Sequence, residues 1–174
     1  MNKKGLFGIP VIIPLLILII SFILYKTSLR NDASDEMKAK AKELDKISRN
    51  KEELVFNTYN FINQSYTSPI RQYLKEPNKI FIKDKTKIWN AQGTYVPSHQ
   101  QNLMVKEMLL LTGKFKEEDF RTEQKWCQIS PHSVLFVKVN NKEIAIDTWS
   151  ADNGGAFNCY TYAPCGENQI MCLN

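Results

Sequence analysis

The stretch that most constrains the fold is residues 131–149, PHSVLFVKVNNKEIAIDTW. Two apolar-rich runs flank Asn140-Asn141, a dipeptide that tolerates the positive φ a two-residue hairpin turn demands. With those residues as the turn, Val139 pairs with Lys142, Lys138 with Glu143 and Val134 with Asp147. One face then carries Leu135, Val137, Val139, Ile144 and Ile146, all apolar and therefore core. The other carries His132, Val134, Phe136, Lys138, Glu143, Ala145, Asp147 and Trp149, with Lys138 and Glu143 as an opposed charge pair. Strand side chains alternate with period two, so a slip of one residue would scramble both faces; the clean partition argues for this register.

In that register His132 and Asp147 are diagonal neighbours on the mixed face. Such Cβ atoms lie within about 7–8 Å, a gap that an imidazole and a carboxylate can close with a hydrogen bond. The aspartate would fix the imidazole tautomer and leave the other ring nitrogen to act as a base. The plain alternative is a histidine that caps a strand, a solvated strand-end aspartate, and Trp149 as packing.

The rest of the chain reads as helices and loops around this hairpin. Met37, Ala41, Leu44 and Ile47 recur at helical spacing in the charged segment 34–50, which predicts a helical stalk. Over 54–74, Val55, Tyr59, Ile62 and Tyr66 make one face of a first packed helix, broken near Pro69. Ile80 to Ile82 predicts a short strand and Ile88-Trp89 another. NAQGTYVPSHQ is a loop by its Asn, Gly and Pro content. A helix starts at Ser98, where Ser98 and Gln101 match the S-x-x-Q capping box, and Gly113 suits its end. Met104, Met108 and Leu111, with Val105 and Leu109 beside them, make it apolar around much of its circumference and so central. Residues 114–126 are charged and contain no clear strand; Gly154-Gly155 and a cysteine-rich tail close the chain.

At the other end, Leu6 to Tyr25 is a run of 20 residues without a charge. That suffices to cross a bilayer as a helix. It is longer than the apolar core of a signal peptide and no A-x-A-like cleavage site follows, so it reads as an uncleaved anchor over 6–25, in contact with membrane lipid. Lys3 and Lys4 precede it and Lys26 and Arg30 follow, a slight bias towards N-terminus inside. Residues 1–5 are then a cytoplasmic tip, 26–53 a charged helical stalk and 54–174 an extracytoplasmic, periplasmic domain of a single-pass membrane protein. Cys127, Cys159, Cys165 and Cys172 agree with export: an even number, three of them in the last sixteen residues, fits disulfides in an oxidising compartment. Four cysteines allow three pairings and the spacing does not choose. The absence of a C-x-x-C pair, with His132 alone nearby, points away from zinc, and no cofactor is called for. The net charge is +5, but residues 1–50 hold nine Lys/Arg against five Asp/Glu and the remainder fourteen against thirteen. The excess is next to the membrane span, and the nearly neutral domain has no basic stripe, which excludes a nucleic-acid role.

A residue at the head of an apolar helix, a glycine at its end, a strand opening with histidine, and a return strand with an aspartate near an aromatic occur here in that order. The pattern, over roughly residues 54–150, resembles the transglutaminase-like branch of the papain-like superfamily. The resemblance implies an α+β domain with a central helix packed on an antiparallel sheet. It also implies a catalytic set: Ser98 at the nucleophile position, fifteen residues before Gly113, with His132 as base and Asp147 as its partner. Gln92, six residues before Ser98, matches the glutamine that papain-like enzymes place ahead of the nucleophile to donate to the oxyanion. The family carries cysteine where this chain has Ser98. A hydroxyl needs a strong base and an oxyanion hole that a thiol needs less. Ser98 thus reads as a serine nucleophile, as the mark of a domain that kept its shape and lost its chemistry, as a replaced cysteine, or simply as a helix cap. His99 reads as a surface residue. Papain-like bacteriocin-processing peptidases are a second likeness, but their nucleophile lies much farther from the histidine than the 34 residues here.

Two function classes follow. One is a binding or assembly module that holds a protein partner within a membrane complex. The other is an amide or ester hydrolase, or acyl transferase, acting on a protein substrate through Ser98, His132 and Asp147. A pilin-like subunit is a third, weakened by the lack of an early glutamate in the apolar run.

Overall fold

The computed structural model describes residues 33–67, 75, 82, 84–127, 130–152, 155–162 and 167–173. Helix α1 (Asp35–Ile47) starts where the Ser34 hydroxyl accepts the Met37 N–H at 3.2 Å, with Asp35 and Glu36 at the positive end of the helix dipole. Helix α2 (Lys51–Ser65) is capped in the same way by Asn50, whose Oδ1 accepts the Glu53 N–H at 2.9 Å.

The fold expected from the sequence needs correction at its N-terminal side. Among the described residues no helix is long and apolar enough to cross a membrane, and the span expected at 6–25 lies outside them. The segment read as a stalk is a packed element instead. Met37, Ala41 and Leu44 of α1 are buried in the same core as Leu54, Val55 and Ile62 of α2, and Ala33 to Asn174 make one compact unit. The apolar stripe was read correctly as a helix face; what it faces is α2 and the central helix, while Ile47 at its end stays exposed.

Helix α3 (Lys85–Trp89) replaces the strand expected at Ile88-Trp89, because the Asp84 carboxylate accepts the Lys87 N–H at 3.1 Å and starts a helical turn. Of the strand expected at 80–82, Ile80 and Phe81 lie outside the described residues, and the Ile82 carbonyl accepts the Gln100 side-chain amide at 2.8 Å. Helix α4 (Ser98–Leu111) buries Met104, Val105, Met108 and Leu109 at the centre of the core and gives way to Gly113 at φ 72°. Its capping box does not form. Pro97 is the N-cap, Ser98 is the first helical residue, and the Gln101 amide donates to the Val96 carbonyl at 2.8 Å.

Three antiparallel strands make the main sheet, in the order β1 (Phe120–Cys127), β2 (Ser130–Val139), β3 (Lys142–Ile146). Asn140 and Asn141 take φ of 51° and 66°, and the register runs Val139 to Lys142, Lys138 to Glu143 and on to Leu135 opposite Ile146. Leu135, Val137, Val139, Ile144 and Ile146 are buried in the core with α4. The segment read as strandless therefore contains β1. Arg121 lies over the Phe136 ring at 4.0 Å and pairs with both Glu123 and Glu143, so Glu143 is engaged by Arg121 where Lys138 was expected.

A second sheet covers the other face of the hairpin. Strands β4 (Cys159–Tyr162) and β5 (Glu167–Cys172) pair antiparallel, and Cys159 and Cys172 stand opposite each other, joined by a disulfide. Cys165 lies outside the described residues; Cys127 ends β1. Val134, Phe136, Ala145 and Tyr162 form a separate buried cluster with Tyr160, Met171 and Leu173 against it. Asn158, at φ 64°, accepts the Ala145 N–H at 2.8 Å and donates to the Leu173 carbonyl, tying β3 to the tail. The Tyr162 hydroxyl donates to Glu123 at 2.6 Å, tying the tail to β1.

Two predictions follow from this packing. Met37→Ala removes a fully buried side chain, so it is expected to lower the unfolding free energy by about 2–5 kcal/mol in urea titration. A stalk residue would change it by less than about 0.5 kcal/mol. The second concerns pH. The Tyr162 hydrogen bond, then that of Arg121, holds the Glu123 carboxyl below its usual range. Burial, then Glu123, pushes the Tyr162 hydroxyl up. The depressed carboxyl contributes stability that is fully present above its unfolded pKa, about 4.3, and is lost as pH falls through the folded value. The raised phenol contributes below its unfolded pKa, about 10, and its contribution is lost as pH rises through the folded value. Glu123 is nearly half exposed, so the acid-side effect is a few tenths of a kcal/mol. Tyr162→Phe is expected to shrink the loss of stability between about pH 5 and pH 3; identical acid limbs for the two proteins would refute it.

Candidate active site

The ends of the hairpin, the head of α4 and strand β4 meet at one place. His132 is the third residue of β2 and Asp147 the first after β3; both are buried, at 2% and 1% exposure. His132 Nε2 lies 3.4 Å from Asp147 Oδ2, within ion-pair range, yet makes no hydrogen bond. The carboxylate is fixed from two sides. Asp147 caps α5 (Thr148–Asp152), Oδ1 accepting the Ser150 N–H at 3.0 Å, and Oδ2 accepts the Thr161 N–H of β4 at 3.1 Å. Trp149 and Tyr162 meet the imidazole edge-on, at centroid distances of 5.8 Å and 6.0 Å.

Ser98 comes to this place on the first turn of α4. Its carbonyl accepts the Thr148 hydroxyl at 3.2 Å, directly beside Asp147 in sequence. One turn on, on the same face of the helix, the Asn102 amide donates to the Ser133 carbonyl at 2.7 Å, directly beside His132. The Ser98 side chain is not spent on capping the helix, and it stands at the positive end of the α4 dipole, where negative charge is favoured. No hydrogen bond joins Ser98 to His132. The structure thus brings His132 to Asp147, ties the Ser98 backbone to Thr148 beside them, and leaves Gln92 exposed in the turn after α3 with no hydrogen bond to any of them. His99, half-buried, follows Ser98 on the helix.

Sequence reasoning missed four contributors: Asn102, Thr148, Thr161 and Tyr162. Asn102 carried a signal, being a polar residue on a helix read as mostly apolar, four residues from Ser98. Thr161 acts through its backbone N–H and gave none. Tyr162 and the β4 backbone reach the site only because the disulfide-bearing tail folds back over the hairpin. Among the described residues no group of three or more His, Cys, Asp or Glu is placed to hold a metal ion.

The arrangement sets a buried imidazole 3.4 Å from a carboxylate held by two backbone N–H groups, with the Ser98 backbone at the head of α4 tied to Thr148 beside that carboxylate. No protein-family model, no curated protein and no solved structure matches the chain.

Proposed function

We propose that the chain carries an acyl-transfer site of transglutaminase-like type, acting on the amide or ester carbonyl of a protein substrate in an oxidising compartment. Ser98 is the attacking residue, His132 the base and Asp147 the group that orients it. The observation that carries this reading is the buried His132–Asp147 contact of 3.4 Å, with both carboxylate oxygens held by backbone N–H groups. Burying an imidazole nitrogen without a hydrogen bond costs stability, and such a cost is characteristic of functional positions. In the reaction the Ser98 hydroxyl attacks the carbonyl carbon and passes its proton to His132. His132 then gives that proton to the leaving amine or alcohol, and water or an amine acceptor releases the acyl group by the reverse steps. The Cys159–Cys172 disulfide supports the compartment.

A second reading is favoured by one observation, the missing hydrogen bond between Ser98 and His132. In it the domain keeps the site's shape and binds a protein partner without turning it over. A serine-directed probe and a thiol probe together separate the two. The full chain is treated with a serine-directed fluorophosphonate and the labelled peptide identified by mass spectrometry. Labelling at Ser98, abolished in Ser98→Ala and sharply reduced in His132→Gln, is expected of the enzyme. In Ser98→Cys, iodoacetamide alkylation of the introduced thiol is followed against pH. Its apparent pKa is expected at least a unit below the usual value of about 8.5, and His132→Gln should return it there. A lowered thiol pKa without phosphonate labelling selects the binding module; a normal thiol pKa that ignores His132 removes both readings.

A further inference from the structure

Asn102 is 2% exposed in the second turn of α4, and spends both ends of its amide on the backbone that follows His132 and on Thr148, which follows Asp147. Its Nδ2 donates to the Ser133 carbonyl at 2.7 Å. Its Oδ1 accepts the Thr148 hydroxyl at 3.1 Å and the Thr148 N–H at 3.4 Å. Ser133 follows His132 and Thr148 follows Asp147, so one side chain grips the backbone beside the base and the backbone beside its carboxylate partner. The single Thr148 hydroxyl proton lies between Asn102 Oδ1 and the Ser98 carbonyl, at 3.1 Å and 3.2 Å, and is shared by these two acceptors. Ser98 and Asn102 are four residues apart on one helix, which puts their Cβ atoms about 5–6 Å apart on one face. The amide orientation is dictated by its partners: a backbone carbonyl can only accept and a backbone N–H can only donate.

Apolar packing alone would not set this distance. α4 rests on the hairpin through Met104, Met108 and their neighbours, whose contacts tolerate small slides, whereas hydrogen bonds lose strength steeply with angle and distance. A displacement of about 1 Å at the head of α4 would be enough to spoil proton transfer between nucleophile and base.

We infer that Asn102, seconded by Thr148, is the positioning residue of this site, fixing the head of α4 and so Ser98 against His132 and Asp147. The inference rests on the reading of Ser98, His132 and Asp147 as an acyl-transfer set. Asn102 touches no reacting atom; it acts through where it holds Ser98.

The test uses the full chain in the Ser98→Cys background and follows alkylation of the introduced thiol against pH, with thermal melting recorded alongside. Asn102→Ala and Thr148→Val are expected to raise the apparent thiol pKa by about one unit, a roughly tenfold loss of thiolate below that pKa. Thr148→Ser, which keeps the hydroxyl, should restore the profile of the Ser98→Cys protein. Melting temperature can fall in all of these proteins; it is the pH profile that a merely structural role would not move. Should Asn102→Ala fail to fold, the Thr148→Val and Thr148→Ser pair carries the decision. Unchanged profiles in Asn102→Ala and Thr148→Val, with the His132-dependent shift intact in the Ser98→Cys protein, overturn this inference and leave the proposed function standing. Loss of that shift in the Ser98→Cys protein itself removes the proposed function, and this inference with it.

Discussion

The positive φ of two adjacent asparagines, Asn140 and Asn141, governs the whole arrangement around the site. A turn of this hand matches the right-handed twist of the strands it joins, so it admits one register. That register sends Leu135, Val137, Val139, Ile144 and Ile146 to the core face against α4, and leaves His132 and Asp147 together on the opposite side. A shift of one residue would turn the histidine and aspartate into the apolar core and move the aliphatic side chains under the second sheet, scrambling both packed faces. The site is thus a by-product of the same alternation that builds the core.

Which parts of the fold were legible follows from which parts are decided locally. The hairpin was, because turn chemistry and alternation agree over nearly twenty residues. The apolar stripes of α1, α2 and α4 were, because they recur at helical spacing. Strand β1 was not. Arg121, Glu123 and Lys125 give it no alternation; it is held by its backbone ladder to β2 and by Arg121 bridging to Phe136 and Glu143. Charge along an edge strand also blocks unwanted pairing with other chains, a use that conceals the strand from a hydrophobic reading. The partner of α1 was hidden as well: a stripe of Met37, Ala41 and Leu44 states that something covers it, but not whether that is another chain or α2 and α4 of its own. At Ile88-Trp89, two large apolar residues looked like a strand, and the Asp84 cap decided for a helix.

The candidate site divides along the same line. His132 and Asp147 came from the hairpin, and Ser98 from the resemblance that sets a nucleophile fifteen residues before Gly113. The groups that hold them come from distant segments that nothing local announces. Thr161 holds Asp147 through a backbone N–H, presented by a β4 that is paired to β5 and joined to it by the Cys159–Cys172 disulfide. That burial also changes the chemistry available. In a solvated strand end, Asp147 and His132 would interact weakly; enclosed by Tyr162, Trp149 and β4 they meet in a medium of lower effective dielectric, where the same contact is several times stronger. The enclosure also leaves His132 Nε2 without a hydrogen bond, at a cost of about 1–3 kcal/mol.

The helix boundary shows how small a shift separates a capping serine from one with no capping duty. Serine is among the preferred N-caps, and a capping Ser98 would have its oxygen committed to the backbone of its own helix. Pro97 takes the cap position instead, at φ −56° and ψ 143°, and the Gln101 amide that a capping box would use turns back to the Val96 carbonyl. Ser98 moves into the first helical position, where its hydroxyl has no capping duty and its helix face is the one Asn102 binds to Ser133 and Thr148. A proline one place earlier thus has the same kind of effect at the helix head as the two asparagines have at the hairpin turn. Each fixes a register to one residue: the hairpin register brings His132 to Asp147, and the helix register sets the Ser98 backbone against Thr148 beside them.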